Sequence, residues 1–411
     1  MRSGRVAALL LPSTATPDAT RLVAARMMRA FADGLVSVLL PAYLSALGYT
    51  AVQVGGIATA TLLGSAALTI GVGLLAHRLP ARALLLGACA LMVGTGLGFA
   101  AVRDFLPLIV LAFVGTLNPT AGDVSVFLPI EQSLLASQVE PGDRAALYAR
   151  SNVAAGGSAA LGALASAVPG PLAGATGLVL ADAMRVAFLV YAAAAIGAAF
   201  LYAGLRSTRA PTAEAPRAVL ARSRGIVLRL STLFTVDSFG GGFVVQSLLA
   251  LWLFQRFSFS LADAAAFFFA ATLLAGVSQL LSPLLARRIG LVPTMAFTHI
   301  PANLLLVIAA FMPTARWAVA CLLLRMALSS MDVPARQAFV MSVVPPEERA
   351  AAASVTNVPR SLGAGLAPLL SGGLLAASSF GWPLVIAGML KITYDLLLLR
   401  GYRHHGASLP G

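Results

Sequence analysis

Seven ionisable residues interrupt apolar stretches long enough to cross a bilayer: Asp33, Asp123, Glu131, Asp237, Arg325, Asp332 and Arg336. A charged side chain at bilayer depth costs about 2.5–3.5 kcal/mol on insertion scales, so such groups pair, face water or carry function. A buried carboxylate can load and release a proton, because desolvation and a neighbouring cation pull its proton affinity in opposite directions. A guanidinium in the same setting can hold an anion. Counted from the ends of their apolar runs, Asp123 and Asp332 come nearest mid-membrane and are the first candidates for substrate or proton binding. Asp33, Asp237, Glu131 and Arg336 lie nearer the inner side, where a gate would form. Asn118 to Asp123 and Ser329 to Pro334 each combine a proline with small polar residues at one depth. Irregular backbone there either lines a water-filled cavity, with Asn118 and freed carbonyls available to a ligand, or is a packing kink. Arg360, beside Pro359 and Asn357, offers a further contact for an anion.

Local pairing competes with each of these roles. Arg29 stands four residues before Asp33 and could neutralise it within one helix. Arg325, Asp332 and Arg336 are spaced seven and four apart, which puts them on one face as either a ladder of salt bridges or a cavity lining. Lys391 and Asp395, four apart, are expected to pair with each other.

The elements that carry these residues come in two similar sets. Val139 to Ala146 is echoed by Val344 to Ala351, and Ser151-Asn152-Val153 by Thr356-Asn357-Val358, at an offset of 205. The charges follow, with Asp33 against Asp237 (offset 204), Asp123 against Asp332 (209) and Glu131 against Arg336 (205). The sign reversal in the last pair suggests an ion pair between the halves.

A hydrophobic fraction of 59% with 10% charged residues and a mean hydropathy of +0.89 identify lipid as the solvent for most of the chain. At about 20 residues per span, 411 residues accommodate about twelve helices. The expected class is therefore an all-α integral membrane protein of two pseudo-symmetric six-helix bundles. The expected organisation is a cytoplasmic tail over 1–23, bundles over 24–205 and 228–400, a polar linker over 206–227 and a second tail over 401–411. Pro119, Pro129 and Pro334 interrupt the fourth and tenth spans. The net charge of +13 does not imply nucleic acid. Arg78, Arg144, Arg217, Arg222, Arg288 and Arg349 fall in inner connectors while the outer ones hold few, the positive-inside bias that places both termini in the cytoplasm. Cys89, Cys321 and four scattered histidines give no disulfide or metal-ligand spacing, so no metal or cofactor is expected.

Gly73-Leu74-Leu75-Ala76-His77-Arg78 and its counterpart ending in Arg287-Arg288 resemble the motif between the second and third helices of the major facilitator superfamily. So does the Pro-x-x-x-Arg pattern from Pro345 to Arg349, matched with one residue fewer by Pro141 and Arg144. The family's aspartate is His77 in one copy and Arg287 in the other, so its gating contacts do not transfer directly. The resemblance implies that the first, fourth, seventh and tenth helices line a central cavity. It also makes Gly73, Arg78, Arg144, Arg288 and Arg349 gating or cytoplasmic-loop candidates. Gly156, Gly157 and Gly162 in the fifth span only loosely match the glycine motif of drug–proton antiporters, and close helix approach accounts for them.

The resulting expectation is a secondary active transporter, not an enzyme, working by alternating access around a site between its halves. The chain has no phosphate-binding Gly-x-x-x-x-Gly-Lys-Ser/Thr loop, which leaves a proton gradient as the energy source. Export of a small molecule across the inner membrane by a monomer is the leading form. Movement of an organic anion or metabolite by Arg325, Arg336 and Arg360 is the alternative, and a non-transporting receptor or assembly subunit that kept the fold is the rival of another class.

Overall fold

The computed structural model describes residues 14–75, 78–118, 126–140, 143–206, 223–345 and 348–402. Their regular structure is helical throughout, with no strand among the described residues. Eight helices fall in the first half of the chain: α1 (Pro17–Ala46), α2 (Ala51–Leu75), α3 (Ala81–Ala101), α4 (Phe105–Val114), α5 (Leu128–Ala136), α6 (Arg144–Ala165), α7 (Pro169–Thr176) and α8 (Leu180–Ala203). The second half holds α9 (Arg224–Gly242), α10 (Gln246–Phe257), α11 (Leu261–Ile289), α12 (Leu291–Phe311), α13 (Ala315–Ser329), α14 (Asp332–Val343), α15 (Arg349–Ala377) and α16 (Trp382–Tyr402).

The all-helical class is as expected, while the count of about twelve spans is not exact. Nine stretches among the described residues are long and apolar enough to cross a membrane. The shortfall has physical causes. Arg29 and Asp33 dilute α1, Arg360 with glycines and prolines dilutes α15, and the fourth span is broken into α4 and α5. The tenth, which is one of the nine, nevertheless breaks between α13 and α14, where Pro334 has no N–H to bond the carbonyl of residue 330. Breaks that the spacing did not reveal split the fifth span at Ser166–Val168 and the seventh after Gly240-Gly241-Gly242. Large apolar side chains such as Phe200 (75% exposed) and Leu106 (74%) point outwards, as lipid contact requires. α1 begins at Pro17, inside the stretch expected as a tail, with proline in the first turn where its missing N–H costs nothing.

Contacts cluster into two compact units, one of Met1–Tyr49, Ala60–Ala213 and Leu261–Phe269, the other of Thr50–Thr59, Glu214–Ser260 and Ala270–Gly411. The internal repeat is visible in how each packs. In the first, α1 lies against α6 and α8, and α3 against α8; in the second, α9 lies against α15 and α16, and α12 against α16. The echoed sequence at 139–146 and 344–351 has a matching job in both. Asp143 accepts a hydrogen bond from Thr14 Oγ1 at 2.5 Å, ahead of α1. Glu348 accepts the Ser223 N–H at 3.0 Å and its hydroxyl, ahead of α9.

Two kinds of glycine shape the packing. Gly290 alone joins α11 to α12, at a positive φ of 92° that a side chain would strain. Gly162 lets α6 close on α1, since a Cβ there would strike the Phe31 carbonyl and come within 2.9 Å of the Leu35 nitrogen. Gly34 plays the same part from the α1 side, against the backbone of Ala159. Gly156 and Gly157, by contrast, have open space where a Cβ would go, so close approach does not account for them.

Gly162→Ala should therefore lower stability by about 1–3 kcal/mol through overpacking, whereas Gly156→Ala should raise it by up to about 1 kcal/mol through helix propensity. Thermal unfolding of the detergent-purified protein checks both, and equal effects at the two positions would contradict the packing described.

Candidate functional site

α1, α5 and α8 build the polar centre of the first unit. Arg29 Nη2 lies 2.5 Å from Glu131 Oε2, and the Tyr202 hydroxyl donates to the other oxygen of Glu131. Arg29 Nε donates to the Tyr202 oxygen at 3.1 Å, and its guanidinium lies 3.8 Å from the centre of the Phe127 ring. Arg29 is 5% exposed and Glu131 1%, so the charge-assisted bonds and the ring replace the water that both groups lost. One turn along α1, Asp33 is also buried, at 9% exposed. It has no ion pair and no side-chain hydrogen bond among the described residues, because the nearby arginine is committed to Glu131. The tight approach of α6 at Gly34 and Gly162 closes over the same stretch of helix.

The second unit carries a larger network on α9, α14 and α16. Lys391 Nζ donates to Asp237 Oδ1 at 2.6 Å, and Arg336 Nη1 donates to Asp237 Oδ2 at 3.1 Å. Arg336 Nη1 also lies 3.2 Å from Asp332 Oδ2, one helical turn away. Gly240 faces the Lys391 stem and Gly241 the ammonium, giving that side chain room to reach Asp237. A separate contact joins α12 to α16: His299 Nδ1 is 3.0 Å from Asp395 Oδ1, and Asn303 Nδ2 donates to Asp395 Oδ2 at 3.3 Å.

The two centres are related by the repeat with their roles exchanged. At the offset of 204 that relates Asp33 to Asp237, Arg29 falls on Leu233, while Glu131 falls on Arg336 at 205. The first pair is Arg with Glu; in the second an apolar residue faces the base, and Arg336 lies 5.7 Å from the ring centre of the neighbouring Phe234. Asp237 supplies the acid in place of a residue on the tenth span.

Several expectations need correcting. Each unit holds an ion pair that the spacing did not suggest, Arg29–Glu131 in the first and Asp237–Arg336 in the second. Lys391 and Asp395 do not pair with each other, since Lys391 turns to Asp237 and Asp395 to His299. The ladder on the tenth span holds only between Asp332 and Arg336, because the helix breaks at Ser330 and Met331 before reaching Arg325. Arg325 Nη1 lies 3.2 Å from Met326 Sδ, its Nε is buried without a partner, and no carboxylate lies within 4 Å among the described residues. Arg360 bonds Ser238 at 3.0 Å and Asn357 at 3.4 Å. Asn118 is 3% exposed, in the segment after α4 where the Tyr191 hydroxyl donates to the Thr116 carbonyl at 2.9 Å.

Asp123 lies outside the described residues, as do the side chain of Arg349 and the surroundings of Gly73. Arg78 and Arg288 are exposed. Arg144 Nε donates to the Ala136 carbonyl at 2.9 Å and so caps α5. Spacing along the sequence missed Arg29 and Tyr202 as partners of Glu131, and Lys391 and His299 as partners of aspartates on other helices.

Breaking a buried pair by removing one partner costs about 3–5 kcal/mol, so Arg29→Gln and Glu131→Gln should each destabilise the fold by about that much. The exchanged variant Arg29→Glu with Glu131→Arg should recover most of the loss in thermal unfolding. A double variant as unstable as the two losses added together would mean the pair is not the source.

Residues 22–368 match the family model described as Major Facilitator Superfamily. An uncharacterized membrane protein of Saccharomyces cerevisiae, YJR124C, is 24% identical over 93% of this chain and 94% of its own. The D-xylose–proton symporter shares the fold with a TM-score of 0.74 at 14% identity, covering 92% of this chain and 96% of that one. The nucleoside transporter NupG does so with a TM-score of 0.72 at 12% identity, covering 94% and 99%. With a match spanning most of its length and a helical fold shared with solved transporters, the chain belongs to the Major Facilitator Superfamily and is a multi-pass membrane transporter.

Proposed function

We propose that this transporter is a proton-coupled secondary carrier working by alternating access, and that Asp33 is the carboxylate that loads the proton. The observation behind this reading is the state of Asp33: buried on α1, one turn from an arginine that pairs with Glu131, and without an ion pair or side-chain hydrogen bond among the described residues. A carboxylate so placed is costly to keep ionised and inexpensive to protonate. Asp332, first expected in this role, sits beside Arg336, and Asp237 is held by two bases. Asp123 stays a second candidate. That a D-xylose–proton symporter shares the fold means that the architecture accommodates proton coupling.

Export of a small molecule across the inner membrane remains the leading form. Arg325 favours a second reading, in which the cargo is an organic anion. Glu131, Asp237 and Asp332 are all matched with bases, which removes most of the acidic surface a cationic cargo would use. Arg325 meanwhile has no carboxylate within reach among the described residues.

In proteoliposomes under an imposed pH gradient, Asp33→Asn should abolish gradient-driven movement of a substrate while leaving exchange of that substrate across the membrane intact. Unchanged gradient-driven flux in the variant would remove Asp33 from the mechanism. A thermal-shift screen of monocarboxylates, dicarboxylates and lipophilic cations separates the two cargo readings. A ligand at about 100 times its dissociation constant stabilises by about 2.7 kcal/mol. The anion reading predicts carboxylate hits that vanish in Arg325→Gln; cation hits that survive in that variant would contradict it.

A further inference from the structure

We propose that the His299–Asp395 pair is a second proton-binding site, distinct from Asp33 and confined to the second unit; its role in the transport cycle rests on the reading of proton coupling above. Asp395 is wholly buried and His299 is 4% exposed. Among the described residues, the side chains that bond the Asp395 carboxylate are His299 and Asn303, and of these only the imidazole can carry a charge. No lysine or arginine among the described residues lies within 4 Å of it. A carboxylate removed from water with no compensating charge is among the most costly arrangements a protein interior can hold. One proton on the pair turns an isolated anion into either an imidazolium–carboxylate pair or a neutral acid bonded to a neutral imidazole. The site therefore has a built-in capacity of one proton.

The other charged and titratable groups around it tie its occupancy to the neighbouring network. α12 packs against α13, α14 and α16. From α16 come Lys391 and Tyr394, the latter with its ring centre 6.3 Å from that of His299. From α14 comes Asp332, and Asp237 of α9 is reached through Lys391; Arg336 of α14 is held by Asp237 and Asp332, and α13 carries Arg325. Lys391 stands one helical turn from Asp395 on α16 and donates to Asp237 at 2.6 Å. Loss of the proton from the His299–Asp395 pair leaves Asp395 as an anion that competes with Asp237 for that ammonium. Proton release at α12 thereby loosens the tie between α16 and α9, and proton uptake restores it.

The test is the pH dependence of thermal unfolding of the full-length protein between pH 5.5 and 8.5. The wild type and Asp33→Asn should both lose stability as the pH rises above about 6.5, the value of a free histidine, with a slope approaching one proton released per molecule on unfolding for as long as the folded pair keeps its proton. His299→Gln combined with Asp395→Asn keeps a hydrogen bond but no titrating group, and should remove that component. A wild-type profile that matches the double variant would overturn the proposal. So would imidazole resonances of histidine-labelled protein in which His299 stays in one protonation state across the range, a measurement that needs no variant to fold. Because Asp33→Asn keeps the effect, failure here and failure of the Asp33 reading give different results.

Discussion

The cost of holding a charge away from water organises this protein. Each unit contains buried acids and bases, and each satisfies most of them internally. Arg29, Glu131 and Tyr202 form one bonded set in the first. Asp237, Lys391, Arg336 and Asp332 form another in the second. These sets bind helices from different parts of the sequence to one another, so the same bonds that neutralise the charges also define the shape of each bundle. What is left over after this pairing stands out chemically: a carboxylate at Asp33, a guanidinium at Arg325 and an imidazole shared with Asp395.

The difference between the halves comes from a few substitutions in a common plan. Asp33 and Asp237 occupy related positions, yet only Asp237 has a lysine. Lys391 stands on the last helix, and the stretch 205 residues earlier, Val186 to Leu189, is wholly apolar. With no lysine on α8, Asp33 has no ion pair among the described residues. Likewise the place of Arg29 is taken by Leu233 in the second half, and the neighbouring Phe234 presents its ring to Arg336. Divergence between two copies of one bundle thus produces a half whose aspartate is paired with two bases and a half with one carboxylate that has no ion pair among the described residues.

Much of this was legible in the chain itself. Composition and span length led to a helical membrane protein, the offset of 205 disclosed the repeat, and the depth rule drew attention to Asp33, Glu131, Asp237, Asp332 and Arg336. Proline marked the breaks beside α5 and α14. Partner choice was not legible, for a geometric reason: spacing along one helix shows which residues share a face, but not which neighbouring helix that face meets. Lys391 and Asp395 share a face by spacing, yet each turns to a residue more than ninety positions away, Asp237 and His299. Glu131 was read against Arg336 because their charges are opposite, and nothing in the spacing pointed to Arg29, a hundred and two residues earlier, which lies within bonding distance. The histidine was set aside for lack of ligand spacing, a criterion suited to metals and blind to an ion pair between α12 and α16.

The most direct measurement is infrared difference spectroscopy of the purified protein during pH titration, which observes protonated carboxyl groups in a dry environment. If the pairing described here is right, the buried protonated carboxyl signal that titrates in the wild type loses the contribution of one group in Asp33→Asn, while Glu131→Gln leaves it in place. A band that persists in Asp33→Asn and is lost in Glu131→Gln would contradict the account, since the free proton would then reside on the acid that the structure pairs with Arg29.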